Sequence, residues 1–461
     1  MTRKTKTLII AIGAVLLLGG GYYGASVWQK NKGAAGVTPY TPPARLGNLE
    51  SFDLVKIEAG GLVLEKTDGV WELTHTEDGK PASGIELDQR EIQYLTYTLA
   101  TVWTDRLIDE EPEDVSVYGL DSGNSRTTVT DSSGRRAEYI VGDITPSLMS
   151  YYIREEGNPA VYTISAYTAR ALSFTLDDLR QRDLIPAMNP ATLIQLQLGQ
   201  GANRIEIMPR HENLPPYLSF IFSSHYLSSP YQLPRAVSGE ALNNLMTNFS
   251  NLTIEDFIDD NPSSLVPYGL DRPFEFSLRA MEGSFDLLIG NPIDGKHYAK
   301  LANKSGVFTV RDMEELINTK PISLIDKFVI LVNIDSVEHM MVKGDGRTII
   351  ADLFEDGYEG LFYLDGRKAE SVSFRKFYES VIGLLVDAEY PANSPEQTGD
   401  DSANITIALN LSNPPGVQVS ITLIPYNRDF YIVRQDGTTE FLISRSQVRR
   451  IFTSADAVIL E

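Results

Sequence analysis

A chain of 461 residues, 42% hydrophobic and 9% aromatic, has apolar surface for two or three folded units and is too long for one ordinary core. The formal charge is −22; the first 32 residues carry five Lys or Arg and no acid, so the remainder stands at −27, an acidic surface that repels nucleic acid and anionic polymers. The absence of cysteine removes disulfides, thiolate metal sites and cysteine nucleophiles together.

The chain opens on the basic stretch MTRKTK, and residues 8–28 then run LIIAIGAVLLLGGGYYGASVW without a charge. Roughly 20 such residues span a bilayer core. Arg3, Lys4 and Lys6 predict a cytoplasmic N-terminus and an exported remainder, although Lys30 and Lys32 weaken the asymmetry. The rival reading is a cleavable signal peptide cut near Gly24, Ala25 and Ser26, where Tyr22 or Tyr23 would occupy a position that wants a small residue. Residues 1–30 are therefore expected to be a cytoplasmic end and single-pass anchor in the cell membrane. Residues 31–48, rich in Gly, Pro and Ala, read as a tether.

Beyond the tether the chain repeats itself. LATVWTDRLIDEEPEDVSVYGLD, residues 99–121, lies without a gap over FSNLTIEDFIDDNPSSLVPYGLD, residues 249–271, with seven of 23 positions identical. The same offset carries an amphipathic helix, with Ile92, Leu95, Leu99 and Val102 answering to Leu242, Leu245, Phe249 and Leu252. Asp88, with Glu91 behind it, is the expected cap of the first helix and Ser238 of the second. Short alternating strands follow in each copy, among them RAEYIVG, SYYIRE and AVYTIS, then FEFSLRA, SFDLLIG and VFTVRD, separated by turn-forming DSSG, MEG and NKSG.

A third, more diverged copy shows in its last hairpin, where Tyr431 and Phe441 stand as far apart as Tyr152 and Tyr162 or Tyr298 and Phe308. Its helix is SFRKFYESVIGLL, with Phe377, Val381 and Leu384 inward and Ser373 as N-cap; a polar insertion, PANSPEQTGDDSAN, stands where Tyr-Gly-Leu-Asp would be. The expected fold class is α+β, with three related units of antiparallel sheet at residues 49–190, 191–333 and 334–461, stacked into an elongated body. In the shared motif Gly119 and Gly269 would supply a left-handed backbone and Leu120 and Leu270 a core contact. The competing reading makes Tyr118 with Asp121, and Tyr268 with Asp271, a pair of ligand sites.

The basic start, the charge-free run, DGVWEL, the helix and then YGLD, YIVGD, SYYIR, VYTIS and LRQRDLIP, in that order, resemble the domain-of-unknown-function 4340 family of bacterial envelope proteins. The second unit departs from the pattern by lacking the Asp-Gly-x-Trp turn. It also carries an insertion over residues 209–234, crowded with Tyr217, Phe220, Phe222, Tyr226 and Tyr231 and interrupted by five prolines. The resemblance implies an extracytoplasmic part associated with ABC-type transporters and brings no catalytic residues with it.

Chemistry-bearing patterns are weak. His75, His211, His225, His297 and His339 form no metal-binding spacing. The elements of a penicillin-binding enzyme occur at 373–376, 402–404 and 304–306, but in the wrong order. GGLVLEK and GDGRT lack the spacing of a phosphate loop, and DLFEDGYEG and IDDNP lack the alternating ligands of a calcium loop. No catalytic, cofactor-binding or metal-ligating residue is assigned, and no cofactor.

The expected function is that of a non-enzymatic accessory or scaffold of an envelope transport complex, with the membrane and ABC-type transporter subunits as partners. A glycan- or peptide-binding receptor is the alternative, and a wall-modifying enzyme is the third. The aromatics of the insertion either fill the groove between units or bind a partner.

Overall fold

The structure, a computed structural model, describes residues 43–76, 85–121, 125–184, 190–212, 214–218, 221–250, 252–354, 360–391 and 403–461. The expected membrane helix at 8–28, most of the tether and most of the polar insertion after Tyr390 lie outside them. Among the described residues no helix is long and apolar enough to cross a membrane.

The fold is α+β, with antiparallel sheets that each carry helices. The first large sheet runs, edge to edge, Val70–His75, Leu62–Thr67, Leu54–Ala59, Arg126–Asp131, Arg136–Ile144, Ser150–Glu155, Val161–Ser165, Arg106–Asp109. The second runs Arg235–Ala236, His225–Ser229, Ile205–Pro209, Leu193–Leu198, Phe274–Ala280, Gly283–Ile293, Lys296–Leu301, Val307–Arg311, Phe257–Asp259. The third runs Arg367–Lys368, Leu361–Leu364, Arg347–Phe354, Val337–Gly344, Ile405–Leu411, Gln418–Pro425, Phe430–Gln435, Thr438–Ser444, Ala388–Glu389. Apart from a short extra edge strand in the second and third, the order is one and the same. A fourth sheet is the two-stranded pair Arg45–Leu46 and Val102–Trp103.

The sequence makes this pattern locally. A single 3-10 turn leads into the first strand of each sheet, at Ser51–Asp53, Pro190–Thr192 and Ile334–Ser336. Five hairpins close on Asp-Gly, at Asp68–Gly69, Asp294–Gly295, Asp345–Gly346, Asp365–Gly366 and Asp436–Gly437, with positive φ at both residues, as a two-residue type I′ turn requires. Strands such as Phe274–Ala280 alternate buried and half-buried residues, so one face of the sheet takes the core.

Three helices of equal length, Gln89–Ala100, Gly239–Ser250 and Ser371–Ile382, lie on these faces. The Asp88 carboxylate accepts from the backbone N–H of Arg90 and Glu91, and the Ser238 hydroxyl from that of Ala241 at 3.3 Å. In the third helix the cap is not Ser373: Glu370 caps it, its carboxylate accepting the Ser373 N–H at 2.7 Å. The Ser373 hydroxyl instead donates to the Glu370 carbonyl at 3.0 Å, a bond that is open to a serine in the first turn. Phe377, Val381 and Leu384 are buried as the spacing predicts.

The chain divides into two compact units, one ending at Gln181 and the other spanning Arg182–Glu461. In the first, Ile92, Leu95 and Leu99 pack with Ile57, Leu64, Val129 and Ile153, and the buried Tyr139 hydroxyl donates to the Leu99 carbonyl at 2.7 Å. In the second unit, Phe249 stacks on Phe276 at 4.1 Å and Phe374 on Phe362 at 4.5 Å, and both sheets belong to one continuous core.

Candidate binding site

The repeated Tyr-Gly-Leu-Asp is a packing device. Ser116–Tyr118 and Val266–Tyr268 are 3-10 turns closed by Gly119 and Gly269, both at φ 69°. A Cβ on Gly119 would stand 2.5 Å from the Asp143 carboxylate, and one on Gly269 2.4 Å from the Asn291 side chain. Gly142 and Gly290, on the neighbouring strands, let the carbonyls of Tyr118 and Tyr268 approach where any side chain would collide. Leu120 and Leu270 are buried.

The hydroxyl of Tyr118 donates to Asp109 at 3.4 Å and that of Tyr268 to Asp259 at 3.3 Å, rather than to the exposed Asp121 and Asp271. The tyrosine rings meet Tyr152 and Tyr298 at 5.0 and 5.1 Å. Burial, then the adjacent carboxylate, pushes both hydroxyls above the ordinary tyrosine range. The proposed ligand pairs are therefore not brought together. In the third sheet this outer face is covered differently, by Tyr390 and Tyr426 over Ile424, Ile432 and Leu442.

The stretch 209–234 is only partly an insertion. Residues 225–229 form a regular strand, the counterpart of Val70–His75, so Tyr226 belongs to the repeated pattern. Where the first sheet turns on Asp68–Gly69, the second spends residues 210–224. Phe220 lies outside the described residues.

Tyr217 is buried and donates to the Pro234 carbonyl at 3.1 Å, and burial pushes its hydroxyl up to about 12 against the pull of Arg235. Tyr231 meets the Phe441 ring at 4.9 Å and donates to Glu389 at 2.5 Å. Between them Arg235, with side-chain exposure of 10%, pairs with Glu440 at 3.0 Å, donates to Gln435 at 2.8 Å and lies 4.6 Å over the Phe441 ring. These contacts join the second sheet to the third. Two of the aromatics singled out in the sequence thus fill a joint, and Phe222, fully exposed, does not.

Phe222 instead rims a cavity of about 760 Å³. One wall is the helix Ser371–Ile382, which offers Arg375, Tyr378, Glu379 and Ile382 at spacings that share a helical face. The lining also includes Arg210, whose guanidinium donates to the Ile221 carbonyl at 2.8 Å. The segment before Val337 also lines the cavity, held by the buried Tyr378 hydroxyl donating to the Val332 carbonyl at 3.0 Å. Guanidinium and carboxylate groups beside apolar side chains can hold an amphipathic chain with a charged end. Nothing in the sequence pointed to this wall except that Arg375 and Glu379 stand where the first two helices have Gln93 and Tyr97, and Asn243 and Thr247.

The histidines are dispersed. His225 is buried, and the desolvation depresses its pKa; its ring nitrogens contact the Ser224 hydroxyl at 2.9 Å and the Leu193 carbonyl at 3.4 Å. His339, exposed on an interior strand of the third sheet, pairs with Asp352 at 2.7 Å. Among the described residues no group of three or more His, Asp or Glu is placed to hold a metal ion.

Three large antiparallel sheets in one repeated strand order, each with an amphipathic helix packed on it, define the class. The model of a family described as a domain of unknown function (DUF4340) matches residues 71–273 and again residues 226–398, and the chain belongs to that family. The two matches begin at an offset close to that between Tyr118 and Tyr268. No curated protein matches the chain.

Proposed function

We propose that the chain is a membrane-anchored, extracytoplasmic scaffold of an ABC-type envelope transport complex, built from a helix at residues 8–28 and three copies of one α+β unit, and that it performs no chemistry of its own. The observation that carries this reading is the joint at Arg235. Buried polar and aromatic groups there make a continuous body of the second and third sheets, and repeated units that bury faces against one another create extended surfaces suited to binding. The charge-free run at 8–28 supports the anchor, and Gly19, Gly20 and Gly21 within it allow close helix contact.

Affinity purification of the full chain from gently solubilised native membranes, against a form starting at residue 33, tests the reading. Transporter subunits should be recovered with the anchored form alone. Recovery with neither form would overturn it.

A second reading, a receptor for peptides or glycans, is favoured by the cavity beside Arg210 and Arg375. It requires the full chain to bind such a ligand and the Arg375→Ala, Glu379→Ala double variant to lose it.

A further inference from the structure

The hairpin between Gly283–Ile293 and Lys296–Leu301 turns on Asp294–Gly295, and that between Gln418–Pro425 and Phe430–Gln435 on exposed Asn427, Arg428 and Asp429. The equivalent hairpin of the first sheet, between Arg136–Ile144 and Ser150–Glu155, turns on Thr-Pro-Ser-Leu-Met. Its tip holds Leu148 73% and Met149 77% exposed. Leu148 stands at φ 58°, a conformation that an aliphatic residue adopts only where its surroundings impose it. The Leu148 N–H donates to the Thr145 carbonyl and the Thr145 N–H to the Ser150 carbonyl, both at 2.8 Å. The apolar pair is thus held outward by a closed turn.

This tip stands where the chain enters the fold. Ser150 at its root donates to Asp105 at 3.4 Å. Next to Asp105, Thr104 exchanges hydrogen bonds with Ala44 at 2.9 and 3.0 Å. The described chain begins one residue earlier, at Pro43, fifteen residues beyond Trp28. Even fully extended, that many residues reach no further than about 50 Å. Trp103, more than half exposed, carries the Arg45 guanidinium 4.9 Å over its ring at the same end, the arrangement of an amphipathic aromatic and a cation that suits a membrane interface.

We infer that this end of the first sheet rests on the bilayer that holds the anchor, with the Leu148 and Met149 side chains entering the lipid. The inference rests on the anchor of the proposed function. Because the exported chain is strongly acidic, attraction to anionic headgroups does not drive the contact; apolar entry does, and it survives high salt.

A chain without native cysteine can carry a single label. Met149→Cys and Ser132→Cys full-length proteins, the second labelled in the turn at the other end of the strand Arg136–Ile144 and each bearing an environment-sensitive fluorophore, are reconstituted into neutral phosphatidylcholine vesicles containing nitroxide-bearing lipid. Quenching at 149 should be about threefold that at 132, as fits side chains at the headgroup and acyl boundary. It should persist in 0.5 M salt, a concentration that screens surface charge over about 4 Å, and Leu148→Asp should reduce it. Equal quenching at the two sites in vesicles that retain the chain overturns the inference while leaving the anchor intact, and points to a protein as what covers the tip. Failure of the chain to float with the vesicles overturns the anchor and the inference together.

Discussion

The first sheet has a core of its own, whereas the second and third share one. All three use the same strand order, and a principal difference lies in a loop: two residues, Asp68 and Gly69, in the first sheet, against residues 210–224 in the second. The longer loop brings Tyr217 beside Arg235 and its pairing with Glu440. The joint residues Tyr231 and Arg235 lie just before and within the extra edge strand Arg235–Ala236, which the first sheet lacks, so a repeated strand order is kept while an added edge strand and a longer loop fuse one copy to the next.

The strongest way to break that comparison is at the joint. Arg235→Ala leaves the Glu440 carboxylate buried without its counter-charge, and should destabilise the unit Arg182–Glu461 by about 3–5 kcal/mol. Arg235→Met with Glu440→Leu should recover most of the loss. Hydrogen exchange should rise in the Thr438–Ser444 strand and stay unchanged in the first sheet. Loss of protection in the first sheet to the same degree would refute the division.

Gly119→Ala and Gly269→Ala test whether the first two sheets share a packing device. Each should cost about 1–3 kcal/mol, because the new Cβ meets a neighbouring side chain and the backbone is left-handed. Urea unfolding of both should show losses of similar size. Full stability together with lost ligand binding would restore the ligand reading of the motif.

Asp88→Ala, which removes an N-cap, should cost about 1 kcal/mol and confine its effect to the helix Gln89–Ala100. Circular dichroism melts read it. The smallest effect is on pH. Hydrogen bonding from Ser133, with Arg135, holds the Asp131 carboxyl below its ordinary 3.8, and Lys296 and Thr309 do the same for Asp256. A depressed carboxyl stabilises the fold above its unfolded pKa and loses that contribution as pH falls through the folded value. Melting temperature should therefore drop below about pH 4, and Asp131→Asn should flatten the drop.

Local features were readable from the sequence because local physics makes them. The helix faces, the caps at Asp88 and Ser238 and the helix-to-sheet turn at Gly119 depend on residues a few places apart. The five Asp-Gly tips were equally available as hairpin signals. Residues 225–229 were hidden as a strand because five prolines surround them and the pairing partner lies beyond a long loop. The joint was readable only through its aromatics, Tyr217 and Tyr231, and its charged pair was not: Arg235 and Glu440 are ordinary charged residues until two sheets bring them within 3.0 Å. The same holds for Gly142, whose need to be glycine arises only from the Tyr118 carbonyl facing it.

Each large sheet takes every strand from one uninterrupted stretch, ending at Ser165, Arg311 and Ser444 in turn. No sheet waits for a strand supplied by a later part of the chain. A polypeptide emerging N-terminus first can complete one sheet before the next has left the ribosome, which shortens the time that unpaired edges are open to aggregation. The contacts that join the second sheet to the third, Arg235–Glu440 and Tyr231–Glu389 among them, must wait for the last copy, so in this order of assembly the fusion of the second and third sheets is the closing event.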